Sequence, residues 1–248
     1  MTRIFLFSFM AGLSTLAGSL FALGLNRSNN HSFFTALLSI AGGIMSGVVV
    51  LELYPHSFQE GGLAAVITGT TLGLALLTSV DLFLSRRLLT DWYPNPFASR
   101  DFYRKMGLLM AIGISLHDLP EGMAVAAGYS IAENTGATIA LAIGLHNIPE
   151  GMAITVPLLL GGATPSAIIM LVAAVSLITP LGTLAGLGLI GLSRTLIPFL
   201  MALAAGAMSY LTGKEIVPSA WQKNPPLTLT GLVAGFLSFL LLSHQGMH

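Results

Sequence analysis

Two fragments of this chain, HDLPEGMA and HNIPEGMA, carry the residue types that bind transition metals. In the first, Glu121 follows His117 by four positions, and in the second Glu150 follows His146 by four. Each pair therefore lies on one face of a helix. Imidazole nitrogens and carboxylate oxygens suit zinc or ferrous iron better than calcium or magnesium. If the two faces meet, they form a metal site.

The residues around these pairs extend the predicted site. Asp118 and Asn147 directly follow the histidines and offer oxygen atoms for a second metal position. Pro120 and Pro149 each remove a backbone donor and free a carbonyl in the preceding turn. Inside a membrane, free carbonyls occur where the backbone is buried in protein or lines a cavity.

The composition is that of a membrane protein. The 248 residues are 54% hydrophobic and 8% charged, with a mean hydropathy of +0.84, whereas soluble domains carry about 25% charged residues. The absence of cysteine excludes disulfides and thiolate metal sites. Zero net charge without a basic patch predicts no nucleic-acid partner.

Eight apolar stretches are each long enough to span a bilayer, which needs about 20 residues. The predicted fold class is therefore all-α, a polytopic membrane protein forming a single transmembrane domain over residues 1–248. The first stretch is taken as a retained helix and not as a signal peptide. The predicted spans are 4–25, 33–57, 62–85, 105–130, 134–160, 164–192, 195–219 and 226–244.

The positive charges predict how the chain is oriented in the cell (inner) membrane. With eight spans, eight of the ten Lys and Arg residues fall on one side, and only Arg3 and Arg194 on the other. Because cytoplasmic loops carry the excess of positive charge, both termini are predicted outside the cytoplasm and the loop 86–104 inside it.

A faint internal repeat relates the second and seventh spans. Residues 43–55 read GIMSGVVVLELYP and residues 206–218 read GAMSYLTGKEIVP, sharing Gly, Met, Ser, Glu and Pro at equal offsets. The two spans run in opposite directions, so the copies would form an inverted repeat around a central helix pair, a common transporter plan.

Charged residues inside the spans need a partner. Lys105 and Lys214 are expected at helix ends, where they reach the interface, and Asp81 is expected to pair with Arg86. The carboxylates of Asp118, Glu121 and Glu150 lie near mid-membrane and have no basic partner at their depth. A cation or protonation must therefore neutralise them. A purely structural role for these residues remains an alternative. An isolated His-x-x-x-Glu is often a polar contact between helices. Glu52, His56 and Glu215 can be interfacial anchors.

With these motifs, the chain resembles the prokaryotic branch of the ZIP family of divalent-metal transporters, whose hallmark is an HNxPEG-type and an HxxPEG-type sequence on adjacent helices. The resemblance implies a binuclear site on the fourth and fifth spans, with acidic groups at its entrance and exit. The implied metal ligands are His117, Asp118, Glu121, His146, Asn147 and Glu150, and the implied entrance and exit residues are Glu52, His56 and Glu215.

The chain departs from the family pattern at the second metal position. Asp118 stands where asparagine is more usual, and Thr179 stands where many prokaryotic members have a glutamate. Compared with the family pattern, the sixth span lacks a carboxylate and the fourth span has an additional one. The geometry or affinity of the second metal position is therefore expected to differ. The inside loop also lacks the histidine run of many relatives.

The predicted function is import of zinc into the cytoplasm, with iron, manganese, cobalt and cadmium as further candidate substrates. The partners are then the divalent ion, which is the substrate and not a cofactor, and the lipid bilayer, with a homodimer as a further candidate. Two alternatives remain at this point: an intramembrane zinc hydrolase, which would activate water, and a metal-binding scaffold without transport.

Overall fold

The computed structural model describes residues 2–25, 31–89, 99–188 and 193–245, and nearly all of these are helical. The all-α prediction is confirmed, with no β-strand among the described residues. The α-helices are α1 Thr2–Leu25, α2 His31–Gly47, α3 Tyr54–Leu88, α4 Arg100–Ile131, α5 Glu133–Leu160, α6 Pro165–Ser176, α7 Ile178–Gly188, α8 Ser193–Tyr210, α9 Val217–Lys223 and α10 Pro225–Gln245. Two π-helical segments, π1 Val48–Leu53 and π2 Leu211–Ile216, join α2 to α3 and α8 to α9.

Six helical stretches in the described residues are long and apolar enough to cross a membrane. The protein is therefore a multi-pass membrane protein, as its composition predicts. One of the six, Ser32–Leu88, is 57 residues long, more than twice the length that a single crossing needs. A shorter apolar helix, Pro225–Leu241, follows the last of the six.

The long stretch is interrupted at a single glycine. Gly62 has φ 67° and ψ −175° inside α3, a backbone conformation that essentially only glycine adopts. The sequence analysis placed a break at this QEGG segment, between the predicted spans 33–57 and 62–85. In the structure the break is one non-helical residue, because glycine alone provides the change of direction without a loop.

Replacing Gly62 with alanine is expected to destabilise the protein by about 1–3 kcal/mol, the usual cost of holding a side chain in a forbidden backbone region. A Cβ at Gly62 would meet no atom within 4 Å, so the cost comes from the backbone and not from a clash. Thermal unfolding in detergent, followed by the helical circular dichroism signal, measures it. Gly213→Ala is the control, since Gly213 also faces open space but has no positive φ; equal unfolding temperatures would contradict the prediction.

Several helix boundaries differ from the bounds of the predicted spans. The loop predicted over 86–104 is shorter, because α3 continues to Leu88 and α4 already begins at Arg100. Ser99 caps α4 by accepting a 3.1 Å hydrogen bond from the Phe102 amide, which is a typical N-cap. Residues 90–98 of that loop and the predicted break at 26–30 lie outside the described residues. The predicted span 164–192 is two helices, α6 and α7, separated at Leu177.

The two π segments occupy equal positions in the two repeat sequences. π1 begins five residues after Gly43, and π2 begins five residues after Gly206, where the two repeats start. Each segment contains the shared glutamate, Glu52 or Glu215. The sequence did not predict this local structure, because π-helical turns have no periodicity of their own that a hydropathy pattern reveals.

Four helix pairs pack in close contact through reciprocal glycines. In each pair, a Cβ on either glycine would overlap the carbonyl oxygen three residues before the other glycine, as in the small-residue contacts of membrane helices. The pairs are Gly18 with Gly151 for α1 and α5, Gly182 with Gly122 for α7 and α4, Gly43 with Gly235 for α2 and α10, and Gly206 with Gly73 for α8 and α3.

α4 and α5 pack against each other at the centre of the fold. α4 also packs against α7 and α8, while α5 packs against α1 and α2. The two HxxPEG fragments therefore lie on neighbouring helices that are covered on both sides by other helices.

Candidate metal site

Histidine and glutamate side chains from α4 and α5 meet in one buried cluster. Glu121 Oε1 lies 3.0 Å from His117 Nε2 and 2.9 Å from His146 Nε2. The two imidazole rings are 5.9 Å apart between centroids. The ligand-type atoms of these three side chains all lie within 4.8 Å of one another, so a single ion placed between them would be within reach of each.

Glu150 completes the set from the other side. Its Oε1 lies 3.5 Å from His117 Nε2. Around a tetrahedral zinc with bonds of about 2.0–2.1 Å, ligand atoms are separated by about 3.3 Å. The three separations of 2.9–3.5 Å between a carboxylate oxygen and a histidine nitrogen are close to that value.

The cluster has an unusual number of buried polar atoms without a hydrogen-bond partner. Fifteen such side-chain atoms occur among the described residues, and nine of them belong to residues of this region. Native proteins leave only a few such atoms per 100 residues, and leaving a charged one unpaired is costly. The nine atoms are both ring nitrogens of His117, both oxygens of Asp118 and of Glu150, Glu121 Oε2, Asn147 Oδ1 and Thr179 Oγ1. Two of them, His117 Nε2 and Glu150 Oε1, lie near oppositely charged groups at 3.0 and 3.5 Å but not in hydrogen-bonding geometry.

The charge of the cluster is negative and has no internal compensation other than the histidines. In the described part of the chain, no lysine or arginine forms an ion pair with Asp118, Glu121 or Glu150. All three are at most 3% exposed. Carboxylates removed from water in this way require a cation, a proton or a hydrogen-bond donor, and the arrangement is suited to a divalent ion.

The candidates for the second metal position lie beside the cluster. Asp118 is fully buried and lies within electrostatic range of Glu150, Glu121 and both histidines. The Asn147 amide donates a 3.0 Å hydrogen bond to the Ala11 carbonyl of α1, which leaves its Oδ1 without a partner. Thr179, at the start of α7, is also buried, and its carbonyl contacts Gly122 of the first fragment.

Glu52 is not at a helix end. It lies within π1, is half-buried and is within electrostatic range of His146, Glu121 and His117. His56 is exposed, with its Nδ1 3.0 Å from the Glu52 carbonyl. The π segment therefore brings one predicted entrance residue next to the cluster and leaves the other at the surface.

The surroundings of Glu215 differ from the prediction. Glu215 is 1% exposed, and its Oε1 accepts a 3.0 Å hydrogen bond from Lys105 Nζ. The expectation that Lys105 reaches the interface is wrong, because its ammonium is buried between two carboxylates. Asp81 pairs with Lys105 and Lys214, so its predicted pairing with Arg86 is wrong too.

Charge balance in the sequence indicates this second cluster only in part. Asp81, Lys105 and Lys214 lie in apolar stretches close to Glu215 in depth, and two acids with two bases neutralise each other. The missing information was which helices touch, since α3, α4 and the α8–π2 segment must meet for these side chains to pair.

Comparison with known proteins agrees with the metal cluster. The family described as ZIP zinc transporter matches residues 99–243, which is more than half of the chain and includes both fragments. The chain is 35% identical to the zinc transporter ZupT of Chlorobium luteolum, over 96% of this chain and 97% of the relative. The chain belongs to the ZIP zinc transporter family.

Two further relatives come from other bacteria. The chain is 32% identical to the zinc transporter GufA of Myxococcus xanthus, over 82% of this chain and 81% of the relative. It is 30% identical to the zinc transporter ZIPB of Bordetella bronchiseptica, over 92% of this chain and 76% of the relative. The predicted family is confirmed, and so is a family role in transport and not in catalysis.

Proposed function

We propose that this ZIP protein transports zinc across the cell membrane into the cytoplasm through the cluster on α4 and α5. The observation that carries the proposal is the convergence of His117, Glu121, His146 and Glu150 in a buried site where no lysine or arginine of the described residues forms an ion pair. The names of the relatives, all zinc transporters, support zinc as the substrate. Iron, manganese, cobalt and cadmium bind similar ligand sets and are further candidate substrates.

The site is proposed to hold two ions. Its first position takes the four His and Glu side chains, and its second takes oxygens of Asp118, Asn147 and Glu150. The support is the group of carboxylate and amide oxygens that are buried without partners next to the first position. Asp118 supplies the negative charge that Thr179 does not.

The architecture is proposed to be eight spans arranged as an inverted repeat. Gly62 divides the 57-residue stretch into two crossings, and α10 adds the eighth. The four reciprocal glycine pairs support the repeat. In an inverted repeat, the first span corresponds to the sixth, the second to the seventh, the third to the eighth and the fourth to the fifth. Under this correspondence the contact of α1 with α5 matches that of α7 with α4, and the contact of α2 with α10 matches that of α8 with α3.

With eight spans, the excess of lysine and arginine on one side supports termini outside the cytoplasm. The arrangement follows the transporter plan in which a midplane site lies between two inversely related halves.

The test is uptake of Zn²⁺ into proteoliposomes that contain the purified protein, measured with a fluorescent zinc indicator trapped inside. Uptake that saturates with external zinc and is absent from protein-free liposomes is expected. Saturable zinc binding without uptake would support a metal-binding scaffold instead. Zinc-dependent cleavage of a peptide or ester by the detergent-solubilised protein would support the hydrolase.

Asp118→Asn is expected to lower the occupancy of the second metal position and to slow transport, while the first position still binds. A single negative charge beside a divalent ion is a large electrostatic contribution at low dielectric. Adding Thr179→Glu should restore part of the loss if both side chains reach the same ion. Metal content and uptake of the two single variants and the double variant form a double-mutant cycle. Additive effects without rescue would show that the two positions do not share an ion.

A further inference from the structure

A second buried charge cluster lies outside the metal site and has its own internal cation. Lys105 Nζ lies 2.9 Å from Asp81 Oδ1 and 3.0 Å from Glu215 Oε1. The three residues are 5%, 3% and 1% exposed, respectively. We call Asp81 and Glu215, with Lys105 between them, the lysine-capped pair. The Phe102 ring, 5.2 Å from the same ammonium, adds a cation–π contact that helps to hold it there.

The two carboxylates have different further partners. Asp81 Oδ2 accepts hydrogen bonds from the Tyr210 hydroxyl at 2.6 Å and from Lys214 Nζ at 2.8 Å. The Lys214 side chain is 53% exposed, so it caps the pair from outside. Glu215 Oε2 is buried and has no partner, which leaves one coordination position of the pair unused.

The pair has the donor set of a cation site. Its oxygens come from two carboxylates and a neighbouring phenol, and hard ions such as Mg²⁺, Ca²⁺ and Mn²⁺ prefer oxygen donors. Both carboxylate oxygens already lie near 3 Å from one positive centre. An ion would need to draw them in by less than about 1 Å to reach metal–oxygen distances of about 2.1–2.5 Å, and Glu215 Oε2 could then bind as well.

The glutamate at the corresponding position of the other repeat copy has different surroundings. Glu215 stands at the repeat position of Glu52, and each lies in its own π segment. Glu52 lies within electrostatic range of the metal cluster. None of the ion pairs that lysine and arginine form in the described residues involves Glu52. Glu215 holds Lys105 instead.

We propose that Lys105 is a tethered counter-ion that occupies a latent divalent-cation site formed by Asp81 and Glu215, and so keeps a transported ion from being retained there. With Lys105 and Lys214 against Asp81 and Glu215, the cluster is neutral and has little attraction for a further ion. The part about transported ions rests on the proposed function, whereas the latent site does not.

The latent site can be tested by binding alone, with Mn²⁺ as the probe. His117→Ala and His146→Ala are combined to weaken the metal cluster, and the loss of the free Mn²⁺ signal in electron paramagnetic resonance counts bound ions. Adding Lys105→Met is expected to increase binding by one Mn²⁺ per chain, because methionine keeps a similar length without the charge. Further addition of Glu215→Gln is expected to remove that extra ion.

Lys214→Met is the matched control, since Lys214 contacts Asp81 but leaves Lys105 in place; it is expected to add no ion. An equal gain with Lys214→Met, or no gain with Lys105→Met, would overturn the proposal. If Lys105→Met does not fold in metal-free buffer, millimolar Mn²⁺ is expected to rescue it, because a ligand that binds the folded state stabilises it. Failure to fold with and without Mn²⁺ would also overturn the proposal. None of these outcomes depends on whether the wild-type protein transports zinc.

Discussion

Zinc uptake is expected to fall at least about a hundredfold when either His117 or Glu150 is replaced by alanine. Loss of a residue that only supports a metal ligand costs about 10–100-fold in affinity or activity, and we propose that these two side chains bind the ion directly. Both are fully buried, so water cannot easily replace the lost ligand. Uptake into proteoliposomes at equal protein content measures the effect.

Glu60→Ala is the control for Glu150→Ala. Glu60 is the same residue type, is exposed on α3 and forms none of the ion pairs found in the described residues. Its uptake is expected to equal that of the unsubstituted protein. Near-normal uptake by His117→Ala and Glu150→Ala, with the protein still inserted, would contradict the assignment of the site.

Replacing Gly151 with alanine is expected to destabilise the folded protein by about 3 kcal/mol, the upper part of the range for overpacking. A Cβ at Gly151 would overlap the Thr15 carbonyl oxygen of α1. That oxygen belongs to a helical backbone and cannot rotate away as a side chain would. The helices must separate, and the shift would also move Glu150, the adjacent residue. Thermal unfolding in detergent measures the loss.

The same substitution at Gly24 provides the comparison. Gly24 lies in α1, and a Cβ there would meet no atom within 4 Å. Alanine is favoured over glycine inside a helix by up to about 1 kcal/mol, so Gly24→Ala is expected to be neutral or stabilising. Unfolding temperatures that change equally in the two variants would show that the close contact at Gly151 is not tight.

Helix spacing indicates which residues of the metal cluster share a face, but not how the two helices meet. His117 and Glu121 share a helix face because they are four residues apart, which follows from helix geometry. That the Glu121 carboxylate would lie between His117 and His146, at 3.0 and 2.9 Å, could not follow from spacing. It depends on how α4 and α5 are rotated toward each other, which the spacing of residues along one helix does not determine.

The partners in the buried ion pairs could not be predicted from the sequence. Asp81, Lys105 and Lys214 are far apart in the chain, and each has a nearer charged residue in sequence, such as Arg86 for Asp81. Local spacing favoured those neighbours. The actual partners come together because three helices pack around one buried point, and hydropathy carries no information about which helices touch.

The boundaries of the helices were predicted well where polar residues end them and poorly where glycine or π-helical turns act within them. Ala132 separates α4 from α5 in an extended conformation, close to the predicted break. Gly62 and the two π segments instead alter the direction or the pitch within an apolar run. Such changes leave hydropathy unaltered and so escape a reading that depends on it.

The π segments also have a consequence for the gene. A π-helical turn amounts to one residue inserted into an α-helix, so deleting one codon between Val48 and Leu53 would let that stretch return to α-helical pitch without breaking it. Because the wider turn had absorbed the extra residue, the helices on either side would keep nearly their present mutual orientation, while side chains within the segment would point in new directions. In-frame single-codon deletions in π1 or π2 are therefore expected to yield inserted but inactive protein, with Glu52 or Glu215 turned away from its present surroundings.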